Sequence, residues 1–369
     1  MRTAVNVRAG QERRTTRSAA IGALAFSVAL AASSGDAAFP DSLVNAGHFK
    51  RAGAILPGLM QSQPRNAHLQ YLWAICRLAF GDTATAMKSA RTAADLDPGN
   101  ATYRSLIAEI LSGQSEQASG LASLSLARSA KSEAEAAVRL DSRNLDALNM
   151  LMMYLAKAPG IAGGDKEQAR KLAEQIAQID PVKGDIAQAR ILPPKKQAAQ
   201  VEAFYRKALG ANPKSYDAEV GLAQNLWQQG KFGEAVSECR RAIPLQPDRI
   251  EAYVTLARAQ VDSGQLADLD PTLAAAEKAV PDDLSPYFIA GRRLLAGGAE
   301  PDRAQRYLRK FLTTEPEGNG PTSAMGHWQL GLALEKLGRR PEAVSELETA
   351  VRLDENLEEA RRDLKRVKQ

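Results

Sequence analysis

From Ala218 to Pro247 apolar side chains recur at helical spacing, pause at Gly230, resume, and stop at Pro247. That rhythm predicts two amphipathic helices joined by a glycine-bearing turn and ended by a residue that cannot continue a hydrogen-bonded helix. The same unit returns along the chain. Prolines close it at Pro64, Pro98, Pro181, Pro213, Pro247, Pro281 and Pro316, and Ser142 and Glu355 occupy the two remaining slots. Successive stops lie 34, 44, 39, 32, 34, 34, 35 and 39 residues apart, half of them within one residue of 34. Self-similarity at such a period predicts an array of stacked helical hairpins rather than a globular domain.

The recurring small residues have a physical reason. Twelve positions before a stop stand Ala52, Ala86, Ala130, Ala169, Ala235, Ala304 and Ala343, where the two helices of a hairpin are expected to cross most closely. Seven residues later, on the same helix face, come Ala93, Ala137, Ala208, Ala242 and Ala350. Gly47, Gly81, Gly230, Gly264 and Gly338 sit where a helix must end in a left-handed residue before the chain reverses.

These residues resemble the tetratricopeptide repeat family. Leu222, Ala223, Gly230, Ala235, Ala242 and Pro247 fall on its consensus positions, as do Leu256, Ala257, Gly264, Ala276 and Pro281. Leu330, Gly331, Gly338, Ala343 and Ala350 do so in the last repeat. The resemblance implies an all-α, right-handed superhelical solenoid of about nine helix-turn-helix repeats over residues 39–357. Their ends are expected near 66, 100, 144, 183, 215, 249, 283, 318 and 357, and a polar helix over 358–369 is expected to cap the stack. It further implies a concave groove lined by the first helix of each pair, where other proteins bind as an extended peptide or a helix. By register, Val220, Gln224, Trp227, Val254, Arg258, Phe288, Arg292 and Trp328 face that groove. The aromatics are candidate anchors, and Arg258 and Arg292 offer two guanidinium forks for carboxylates. The aromatics have a second reading, as fillers between neighbouring hairpins. The lysine and asparagine clamp that some family members use is missing: Val220, Gln224, Val254 and Arg258 stand in those slots.

Departures from the pattern carry their own expectations. The first repeat has a short first helix starting near Asp41. About ten extra residues between Ile110 and Ala130 predict a lengthened turn or helix, and Pro159–Asp165 adds a further turn. Pro271 should kink or delay a second helix, and residues 318–323 open a gap before the last repeat.

The N-terminus reads differently. Arg2, Arg8, Arg13, Arg14 and Arg17 precede an apolar run over 19–32 that is too short to span a bilayer, followed by small residues. This is the layout of a cleavable secretory signal over residues 1–38, with cleavage expected after Ala31 or Ala37. The Sec route fits better than the twin-arginine route, because Thr15-Thr16-Arg17 departs from the latter's usual continuation. A periplasmic or secreted protein with no membrane span after signal removal is expected. Of the formal net charge of +5, the leader carries +3, so the remainder is nearly neutral. With no basic run or basic–aromatic interleaving, nucleic acid is not an expected partner.

Nothing in the pattern nominates catalysis. His48, His68 and His327 are isolated, and the Gly160–Lys166 stretch lacks both the ending and the preceding strand of a phosphate loop. Cys76 and Cys239 fall in the second and sixth repeats, too far apart to pair in an extended stack, and are expected to be buried and unbridged. No cofactor, metal or enzymatic activity is expected, and the sequence carries no signal for oligomeric state. The expected function is a protein-binding scaffold in the periplasm or envelope. The alternatives are an accessory subunit of an envelope enzyme or of a polysaccharide or secretion complex, or a glycan-binding array.

Overall fold

The structure, a computed structural model, describes residues 40–193, 197–298, 300–318 and 320–369. The leader over 1–38 lies outside the described residues. The rest forms one compact unit of helices without a strand among the described residues.

Nine antiparallel pairs follow one another: α1 (Pro40–Asn45) with α2 (Phe49–Ser62), α3 (Ala67–Ala79) with α4 (Thr83–Leu96), and α5 (Ala101–Gln117) with α6 (Gly120–Leu140). Next come α7 (Leu145–Lys157) with α8 (Lys166–Ile179), α9 (Pro181–Ile191) with α10 (Ala198–Ala211), and α11 (Tyr216–Gln228) with α12 (Phe232–Ala242). Then follow α13 (Ile250–Asp262) with α14 (Leu269–Ala279), α15 (Ser285–Ala296) with α16 (Pro301–Phe311), and α17 (Ser323–Lys336) with α18 (Arg340–Leu353). A single helix, α19 (Glu358–Lys368), lies against α18 and buries only Ala360 and Val367.

Local chemistry starts and stops these helices. Asn66, Asp82, Asn100, Asn144, Asp165 and Ser215 each accept a backbone N–H of the first turn that follows them, satisfying donors with no partner inside the helix. The five expected turn glycines all have positive φ, between 73° and 84°. At the crossings, Ala52, Ala86, Ala130, Ala169, Ala235, Ala304 and Ala343 are fully buried, as are the five alanines seven residues further on. The core is therefore a train of overlapping apolar clusters, each shared by adjacent hairpins.

The irregular stretches resolve in physical terms. The extra residues after Ile110 lengthen both α5 and α6, and the tips are stapled by Ser115 and Ser123, each hydroxyl donating to the other's carbonyl at 2.9 and 2.7 Å. The Gly160 stretch is a 3-10 turn whose Ala162 carbonyl accepts the Tyr154 hydroxyl at 2.7 Å, and Gly163 has φ +88°. Pro271 delays its helix without kinking it: α14 starts at Leu269, after a 3-10 turn over Leu266–Asp268, leaving the proline in the first turn where no N–H is needed.

One asymmetry sets the curvature. Each first helix touches the first helix of the next pair, from α1 through α17, while the second helices make no comparable contact with one another. The first helices thus line the tighter, inner face.

Two expectations follow. Ala304→Leu should lower stability by about 1–3 kcal/mol, seen as a lower urea midpoint. Arg306→Leu, exposed on the same helix, should stay within about 0.5 kcal/mol. Glu202 ties α10 to the α11–α12 turn, accepting from Lys231 Nζ at 2.8 Å, Gln229 Nε2 at 2.9 Å and Arg206 Nε at 2.9 Å. Lys231 first, then Gln229 and Arg206, hold its carboxyl down to about 2. A carboxyl depressed by folding stabilises above its unfolded pKa and loses that contribution as pH falls toward the folded value. Glu202→Gln should therefore lower the melting temperature at neutral pH, by an amount that shrinks between about pH 5 and about pH 3.

Candidate functional site

The inner face divides into two chemically different halves. In the N-terminal half the rings of His68, Tyr71 and Tyr103 form a row, with centroids 5.9 and 5.2 Å apart. Burial, followed by the nearby Asp146 and Glu109 carboxylates, pushes the Tyr71 hydroxyl up to about 12. Beside this row the lengthened α5–α6 tip and the 3-10 turn enclose a hollow of about 670 Å³, lined by Glu109, Met150, Met153 and Tyr154. Leu121 on the α6 tip and Ile161 at the hollow's rim are 86% and 75% exposed.

The C-terminal half is built around tryptophan, arginine and a bridging aspartate. Trp227 at the end of α11 is half-buried, and its indole N–H donates to Asp262 Oδ2 on α13 at 2.6 Å. The other oxygen of Asp262 accepts Arg293 of α15, from Nε at 2.9 Å and from a terminal nitrogen at 2.5 Å. One carboxylate therefore ties three consecutive first helices together. The same strut recurs between α17 and α19, where Trp328 donates to Asp363 at 2.9 Å. The spacing is 35 residues in both cases.

Arg258 and Arg292 stand on this strip without a carboxylate. The Arg258 guanidinium lies 4.6 Å from the Trp227 ring centre, and that of Arg292 lies 5.7 Å from Phe288. Neither has a hydrogen-bond or ion-pair partner among the described residues, and Arg258 Nε is wholly buried without an acceptor. Burial lowers the pKa of both, and neighbouring guanidinium charge lowers it further: Arg292 and Arg293 act on Arg258, and Arg293 acts on Arg292. This is a cationic strip backed by aromatic faces, in which Asp262 pairs with Arg293 and acts on Arg258 only from a distance, a geometry that favours planar anions such as carboxylates.

The residues assigned to the groove by register separate into two groups. Gln224 is exposed, and Trp227, Val254, Arg258, Arg292 and Trp328 are partly exposed. Phe288 and Val220 are buried, at 1% and 7% exposure, and cannot serve as surface anchors. Phe288 packs on Phe311 with ring centres 5.2 Å apart, inside the core of the last hairpins. Val220 sits among Tyr216, Ala242 and Ala252. Both side chains point into the apolar core, Phe288 against the second helix of its own hairpin and Val220 between its own hairpin and the next. The tryptophans do part of that work too, because their N–H groups are satisfied within the protein.

Other groups that invite a chemical reading are structural. Cys76 and Cys239 are buried and unpaired, and burial pushes both thiols up to about 12. His327 Nδ1 meets Glu346 at 2.6 Å, and His68 bonds Asp41. Among the described residues no cluster of His, Cys, Asp or Glu is placed to hold a metal ion, and no helix is long and apolar enough to cross a membrane.

Comparison with known proteins agrees with this architecture. Tetratricopeptide repeat families match residues 201–250 and 326–357. Mouse tetratricopeptide repeat protein 21B is 29% identical over 140 residues, which is 36% of this chain and 11% of that protein. The chain thus matches only about a ninth of the length of that relative. Yeast Tom70 superposes with a TM-score of 0.51 at 14% identity, covering 89% of this chain and 80% of that one. The human IFIT1 dimer with PPP-AAAA gives 0.51 at 17% identity, covering 89% and 81%. Likeness at that identity shows a shared fold alone. Hairpin geometry, crossing alanines and family matches point the same way: the chain is an array of helical hairpins that carries tetratricopeptide repeats at residues 201–250 and 326–357.

Proposed function

We propose that this protein is a non-catalytic scaffold that holds a partner protein along the inner face of its C-terminal half, recognising an acidic extended segment or helix. The repeat fold itself suggests a protein–protein interaction scaffold. The observation that supports the finer reading is the pair Arg258 and Arg292, half-buried and unpartnered. By contrast, Arg293 between them is neutralised by Asp262. Burying a charge without a counter-charge costs free energy, and a carboxylate from outside recovers it. Trp227 and Val254 supply apolar contact beside the guanidiniums, and exposed Gln224 adds an adaptable polar group. The arginine-rich, weakly hydrophobic leader supports export to the periplasm or beyond as the setting for this work.

A photoreactive residue at Gln224 in living cells should capture a partner in stoichiometric yield. Arg258→Ala with Arg292→Ala should reduce that capture at least about tenfold, in line with the loss of charge-assisted hydrogen bonds. Capture only from the second-helix face, with none from Gln224, would overturn the assignment of the surface.

Export has a separate test. Protein recovered from the envelope or medium should begin at residue 32 or residue 38 by N-terminal sequencing, and an intact Met1 on the whole population would refute it.

A further inference from the structure

The first hairpin meets the turns on either side of the eighth. Helix α2 lies against the turn that precedes α15 and the loop that follows α16, more than 230 residues away in sequence. The first turn of α2 has no local cap, since His48 provides no side-chain bond. Its Lys50 N–H donates instead to Glu317 Oε1 at 2.8 Å, so a distant carboxylate occupies the positive end of the helix. The Lys50 ammonium donates to the carbonyls of Asp282 at 2.5 Å and Glu315 at 2.6 Å. Arg51 pairs with the Asp282 carboxylate. Beside them Gly318 packs so closely on Ala79, the last residue of α3, that an added Cβ would sit 2.7 Å from its backbone. Glu317 and His48 are both 5% exposed. Burial pushes the Glu317 carboxyl up, while the Lys50 N–H and ammonium hold it down.

This seam covers part of the inner face. A cavity of about 430 Å³ is walled on one side by Val44 and Phe49 and on the other by Gln224, Val254 and Arg258, with Glu317 at its edge. Three of the residues nominated for partner contact thus open into a space that the first hairpin helps to close.

We infer that hairpin α1–α2 is a clasp: it closes the array upon itself through Lys50 and Arg51, and it controls access to the inner face at Val254 and Arg258. The closure stands on the seam geometry alone, while its value as a gate rests on the inner face being the binding surface proposed above. Lys50 uses the main-chain carbonyls of Asp282 and Glu315 and the Glu317 carboxylate at the helix end, and Arg51 uses the Asp282 carboxylate. Such a set can release by a rigid-body swing of α1–α2 against α3, whose own contact with Gly318 stays in place.

The test uses the intact chain and needs no partner. Spin labels at Ser62→Cys and Thr313→Cys, both exposed, should give one narrow distance distribution, since the native cysteines are buried. Lys50→Glu with Arg51→Glu should broaden and lengthen it. In parallel, a cysteine at Val254 should react with a maleimide at least about tenfold faster when the clasp is opened, as expected for loss of a few bonds. Arg51→Asp should open the clasp, and adding Asp282→Arg should close it again, which separates release from misfolding. A broad distribution in the parent protein would overturn the clasp. Opening without faster labelling at Val254 would overturn the gate. Both results are independent of whether Gln224 captures a partner, so the failure of either reading can be told from the failure of the other.

Discussion

At seven of the nine hairpin crossings the two backbones come so close that an alanine methyl fills the space between them, and Val201 and Leu269 take that place in the other two. Ala52, Ala86, Ala130, Ala169, Ala235, Ala304 and Ala343 all show no exposed surface. That single distance sets how the hairpins stack, because it decides how far each pair is rotated against the next. First helices then touch first helices all along the array, and the inner face they line follows from the stacking. In a simple solenoid each unit would be coupled only to its neighbours. Here Asp262 goes further, holding Trp227 of one hairpin and Arg293 of the hairpin two places on. The stretch from α11 to α15 is braced as a block, and the unpaired arginines stand on that block.

A rigid support matters for recognition. Arg258 and Arg292 are each stacked near an aromatic ring, and those rings are themselves fixed: Phe288 by Phe311, Trp227 by its bond to Asp262. Guanidiniums held this way have already given up conformational freedom in the folded protein. The N-terminal half offers the opposite sign, with Glu109 and Asp146 near Tyr71. The inner face is therefore polarised along its length.

Most of the fold was legible because its determinants are local and repeat. A glycine that ends a helix, an alanine at a crossing and a proline at a stop each act within a few residues, and the period exposes them. Pro271 was legible as a disturbance, though only the structure distinguishes delay from kink, since that depends on where Leu269 can start a new helix. The surface was less legible. Register alone assigned Phe288 and Val220 to the groove, but a helix position says which way a side chain leaves its own axis, not how near the next hairpin lies. The same register put Arg258 and Arg292 on the groove side, where both are partly exposed. The seam left no trace in the sequence: Lys50, Arg51 and Glu317 look like ordinary surface charges, and no period links residues 267 positions apart.

That separation has a bearing on how the molecule is made. Synthesis runs from the N-terminus, so hairpin α1–α2 emerges before any of the residues that cap and pair it. At about 5–20 residues per second, Glu317 follows Lys50 by 267 residues, a wait on the order of ten seconds to a minute. During that interval the helix lacks its cap and its apolar side rests only on α1 and α3, so the hairpin born first is completed only after the eighth. A growing chain thus carries an open end until its eighth hairpin has been made.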